Sequence, residues 1–137
     1  MKKHQIIIGL LICLGLTFIF SSCVGEKRCR GKICTEEFLM LTLTLKYPDD
    51  QPVSLDSSKV FWVSENRYLE QKINFFGRYV IVDDNMQNEL LDKREVMRFT
   101  GYLNGKIVCE RDILVGADCC HVNYLGKETL TQIIQYE

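Results

Sequence analysis

The feature that most restricts this chain is a strict two-residue alternation. In Phe38-Leu-Met-Leu-Thr-Leu-Thr-Leu-Lys-Tyr47, Leu39, Leu41, Leu43 and Leu45 share one face, and Met40, Thr42, Thr44 and Lys46 share the other. Successive strand side chains point to opposite faces, so this pattern predicts a strand buried on one side. "SKVFWVSE" and "GRYVIVDD" are short runs rich in β-branched and aromatic residues, which suit a pleated surface. "REVMRFTGYL" and "KIVCERDILV" flank Asn104-Gly105, the dipeptide best suited to a type I′ hairpin turn because both central residues take positive φ. "CCHVNYL" and "TLTQIIQY", separated by Gly126, supply the last two strands. "NMQNELLDK" has near-helical spacing of Met86, Leu90 and Lys93 and is where a helical turn is expected. Seven to eight short strands with almost no helix predict an all-β antiparallel β-sandwich.

The first 23 residues address a different question. Lys2 and Lys3 precede an uncharged, largely apolar run of fifteen residues, Ile6 to Phe20, followed by Ser21-Ser22-Cys23. That run has the length of a secretory apolar core and is short for a membrane-spanning helix. The segment resembles a bacterial lipoprotein signal, with a basic start, an apolar core, small residues and then a cysteine. The resemblance implies cleavage before Cys23, acylation of Cys23 and a membrane partner through that lipid anchor, the outer membrane above all. The expected organisation is a signal peptide over 1–22, a lipidated arm over 23–34 and a sandwich over 35–137. Without Lys2 and Lys3, 15 Lys+Arg face 18 Asp+Glu, a net charge of −3. No basic stripe of the kind that binds nucleic acid is present.

Export would place the remaining cysteines where thiols oxidise. Cys29, Cys34, Cys109, Cys119 and Cys120 are an odd number. Cys109 lies in an alternating strand pattern and is expected to pack as a small free hydrophobe. The others fall into two close pairs, Cys29/Cys34 and Cys119/Cys120. A direct Cys119–Cys120 bond is strained if both lie in a strand, so each is expected to take a partner from the first pair. Cys29–Cys119 with Cys34–Cys120, or Cys29–Cys120 with Cys34–Cys119, satisfies this equally. A zinc site built from these cysteines and His121 is the competing reading, and its spacing resembles no zinc knuckle or ribbon.

From the cysteine-rich arm through "EEFLMLTLTLKYPDDQPVSLDS", "RYVIVDD", "VMRFTGYLNGKIV" and "VGADCCHVNYLGKETL", the chain resembles small envelope lipoproteins with an immunoglobulin-like or transthyretin-like sandwich. The resemblance implies Greek-key connectivity, no cofactor, and a non-enzymatic role as a binding or structural accessory with an envelope protein or glycan partner.

Chemistry-bearing residues are few. His121 is the only histidine after residue 22, and it is expected to be a strand residue satisfied locally. No nucleophile elbow, phosphate-binding loop or His-Glu-x-x-His motif occurs. Asp83, Asp84, Asn85, Asn88, Glu89 and Asp92 bring oxygen donors of the kind calcium prefers into ten residues. Asp83, Asp84 and Asn85 form the weak metal candidate. They support an alternative in which a small calcium-assisted hydrolase uses loop 83–92. Phe61 and Trp62 are neighbours, so only one can face the core. Trp62, Arg67 and Tyr68, with the 64–76 loop, are the expected ligand-binding candidates.

Overall fold

The computed structural model describes residues 29–70 and 74–135; Cys23 and the signal-like segment lie outside them. The chain divides into two units, Met1–Ile33 and Cys34–Glu137. In the first, a turn is closed by the Lys32 N–H donating to the Cys29 carbonyl. The second holds eight strands among the described residues: β1 (Met40–Lys46), β2 (Ser57–Trp62), β3 (Arg67–Tyr68), β4 (Arg78–Asp83), β5 (Glu95–Leu103), β6 (Lys106–Ala117), β7 (Val122–Tyr124) and β8 (Thr131–Ile133). A 3₁₀ turn (Asp84–Met86) and a one-turn helix α1 (Gln87–Leu90) sit between β4 and β5, where the Met86/Leu90 spacing predicts helix.

The strands form two sheets, one ordered β4-β1-β8 and one ordered β3-β2-β5-β6-β7. Their inner faces share one core. Leu43 and Leu45 of β1 and Tyr79 and Ile81 of β4 meet Val60, Trp62, Met97, Phe99, Ile113 and Val115 of the larger sheet. The Tyr79 and Phe99 rings approach to 5.6 Å between centroids, an edge-tilted contact that joins the two layers. Tyr79 also handles its own buried hydroxyl, which accepts from the Leu55 N–H and donates to the Val53 carbonyl, both at 2.8 Å. Burial is the main cause of its raised pKa.

The β5–β6 hairpin forms at the expected turn, with Asn104 and Gly105 at φ 51° and 74°. Alternation is realised in the second half of β1, where Leu43 and Leu45 are fully buried; Leu41 is half-buried, and Leu39 precedes the strand and is exposed. A bulge between Leu41 and Thr42 leaves Ile81 of β4 without an opposing residue.

Three expectations are corrected. The sheets are not wholly antiparallel, because β8 runs parallel to β1 with Thr44 opposite Thr131. β8 arrives from β7 in the other sheet, and a connection that changes sheets is free of the reversal a tight hairpin imposes. Arg111 of β6 reaches over to donate to the Thr129 and Thr131 carbonyls at 2.6 and 3.3 Å, seating the start of β8. Second, Cys119–His121 form a bend before β7 instead of a strand. The Asp118 carboxylate accepts from the Cys120 and His121 N–H groups at 2.8 and 3.0 Å, a side-chain-to-backbone bond that competes with the ladder. Third, the 64–76 segment is not simply a loop. A turn over Val63–Asn66, with Asn66 at φ 49°, sends β3 back against β2.

Candidate functional site

The three ligand candidates on β2 and β3 have different fates. Trp62 faces inward and is 1% exposed. Its indole N–H donates to Glu95 at 3.0 Å, and the same carboxylate accepts from the Ser64 hydroxyl. Those bonds, Ser64 first, hold Glu95 below the usual carboxylate range. The Arg67 guanidinium lies 4.8 Å from the indole centre, and Arg67 also pairs with Glu89 at 2.6 Å. Trp62 and Arg67 are thereby committed to the fold. Tyr68 is not: it is 66% exposed.

Tyr68 belongs to a row on the outer face of the five-stranded sheet. Register places Phe61 beside it, with centroids 4.9 Å apart, then Arg98 and Asp112. Arg98 and Asp112 close a two-pronged pair at 2.7 and 2.9 Å, which raises the arginine pKa and lowers the aspartate's. In the next row lies Lys59, whose ammonium is 5.8 Å from the Tyr68 ring centre and 5.5 Å from that of Tyr102. Among the described residues Lys59 makes no ion pair. An ammonium held between two aromatic faces is a cation–π arrangement. The surface thus presents two tyrosines with polar tips, an uncompensated positive charge and the half-buried Thr100.

The acidic segment is organised for structure. Asp83 accepts from the Asn85 N–H and caps the 3₁₀ turn. Asp84 turns the other way: it accepts from the Leu39 N–H (2.8 Å), the Val122 N–H (2.9 Å) and His121 Nδ1 (2.8 Å). Burial pushes the Asp84 pKa up, but these three bonds outweigh it and the net shift is downward. Because the carboxylate only accepts, His121 Nδ1 is the donor; Nε2 meets the Thr35 hydroxyl at 3.0 Å. Carboxylate, imidazole and hydroxyl stand in the order used to activate a nucleophile. Here the same bonds join the segment before β1 to the bend before β7. His121 is satisfied across 37 residues, not locally as expected. Among the described residues, no three His, Cys, Asp or Glu side chains converge to hold a metal ion.

Beside His121, a disulfide links Cys34 to Cys120 with Cα atoms 5.3 Å apart. This bond excludes the connectivity in which Cys34 pairs with Cys119. Cys29 and Cys119 are each in a disulfide as well. Cys109 is a buried free thiol, its pKa raised by burial against the weaker opposing charge of Arg111.

That only one of Phe61 and Trp62 faces the core was legible from their adjacency, and it is Trp62. The part played by Lys59 and Tyr102 was not, because they join Tyr68 only through sheet register. No protein-family model, curated protein or solved structure matches this chain.

Proposed function

We propose that this chain is a lipid-anchored module of the bacterial cell envelope, acylated at Cys23. It acts without catalysis, by binding a partner on the outer face of its five-stranded sheet. The carrying observation is Lys59, exposed and unpaired among the described residues between Tyr68 and Tyr102. Tyrosine rings offer apolar faces with hydrogen-bonding tips, and the ammonium adds a charge that is not used internally. Of an envelope protein and a glycan, that combination favours a glycan carrying carboxylates, whose ring faces stack while the acid meets Lys59. The Ser-Ser-Cys junction supports the anchor. Pairing of β1 with β4 and β8, and not with β2, supports the Greek-key connectivity of an immunoglobulin-like or transthyretin-like sandwich.

Retention of the protein on an immobilised polyuronate tests the site. Lys59→Gln and Tyr68→Ala should each weaken retention, and added salt should weaken it for wild type more than for Lys59→Gln. Equal retention of all three proteins would reject this face. Detergent-phase partitioning of wild type against Cys23→Ala tests the anchor separately.

A further inference from the structure

A second surface lies on the smaller sheet, where β4 begins. The Phe75 N–H donates to the Arg78 carbonyl at 3.0 Å, and the Arg78 N–H returns a bond to the Phe75 carbonyl at 2.7 Å. These bonds enclose a two-residue turn in which Phe76 and Gly77 have φ 37° and 76°. The first position of such a turn favours Asn, Asp or Gly, since a Cβ there meets the backbone. Phenylalanine occupies it instead, and its ring is 94% exposed beside Phe75 at 51%. Two costs coincide here: a left-handed aromatic residue and a pair of phenyl rings in water.

The tip is firmly mounted. Gly77 is buried; a Cβ on it would come within 2.7 Å of the Leu45 carbonyl and 2.8 Å of Pro52 Cβ, and its own carbonyl accepts from the Leu45 N–H at 2.7 Å. The rings therefore project from a seat built on β1. Arg78 follows directly, exposed and without an ion pair among the described residues. Aromatic rings backed by a basic side chain without an ion pair match an anionic bilayer interface, with apolar groups below the headgroups and the cation at a phosphate.

We propose that the Phe75–Phe76 tip inserts into the lipid bilayer, with Arg78 on an anionic headgroup, as a membrane contact distinct from the acyl anchor. β1 separates this tip from Cys34, since Thr44 lies opposite Arg78 whereas Met40 lies opposite Asp83 near the disulfide end.

The test uses the full chain reconstituted in vesicles of equimolar phosphatidylethanolamine and phosphatidylglycerol. Trp62 is buried and provides an unchanging background. In Phe76→Trp, the new emission should shift to the blue and be quenched by brominated acyl chains. Phe75→Trp should do the same, and adding Arg78→Gln should reduce the quenching. Emission of both tryptophan variants that stays red and unquenched overturns the proposal. A blue shift that appears only on adding envelope protein, without quenching by brominated lipid, also overturns it and assigns the tip to a protein partner. Unchanged thermal unfolding of the variants shows that they fold. Detergent-phase partitioning reads the acyl chain independently, so loss of the anchor and failure of the tip are separate results.

Discussion

Asp84 shows how one side chain can organise an end of the sandwich. Its two oxygens take the Leu39 and Val122 N–H groups and the His121 ring, which come from two segments far apart in the chain. Asp84→Ala would leave two backbone donors and an imidazole without their acceptor. The expected loss is about 2–4 kcal/mol, measured by urea unfolding, because stranding partly buried donors costs more than the net value of each bond. Acid should reach the same region. The Cys120 N–H, then the His121 N–H and Asn123, hold the Asp118 pKa down at about 2, below the usual carboxylate range, and Asp84 and Glu95 are lowered too. A carboxylate with a depressed folded pKa contributes stability above its unfolded pKa, and that contribution is lost as pH falls through the folded value. Stability should therefore decline from pH about 4 toward about 2, with Asp118→Asn flattening the decline in a pH series of thermal melts. A slope unchanged by Asp118→Asn would show that these bonds do not govern it. Asp84 and Asp118 were visible in the sequence as acids. Their roles were not, because the groups they serve lie across the chain or on a bend that alternation reads as strand.

At the scale of elements, alternation and turn chemistry carried most of the information. The Asn104-Gly105 turn and the inward face of β1 depend on interactions within a dozen residues, so local pattern suffices. β3 and β8 escaped or changed character because two- and three-residue strands exist only where a neighbour supplies the ladder. Gly116 on β6 is a related case. A Cβ there would collide with the Lys93 carbonyl and approach Leu125 Cδ1 to 2.8 Å. The bare Cα lets the segment after α1 lie on β6, where Asp92 N–H donates to the Ala117 carbonyl. Gly116→Ala should destabilise by about 1–3 kcal/mol, since backbone must move. Chemical denaturation checks this, and a neutral result would mean that the segment shifts freely. A glycine inside a strand signals close backbone approach, and that cue was available in "LVGAD".

For the whole molecule, the Cys34–Cys120 bond spans 86 residues and closes nearly the entire domain. Cross-links of that span stabilise chiefly by restricting the unfolded chain. Full reduction should lower the unfolding free energy by about 4–5 kcal/mol, seen as a lower urea midpoint with reductant present. Cys109 should stay unreactive to alkylation until denaturant is added, since it is buried with a raised pKa.

By itself, the sequence determined a β-rich body, its principal hairpin, a half-buried first strand and a spare cysteine, because each follows from side-chain periodicity or local backbone preference. Which sheet each strand joined, the parallel course of β8, the choice of Cys120 for Cys34 and the meeting of Lys59 with Tyr68 and Tyr102 were decided only in three dimensions. These are contacts between residues distant along the chain, and their energies exist only once packing and register bring the partners within reach.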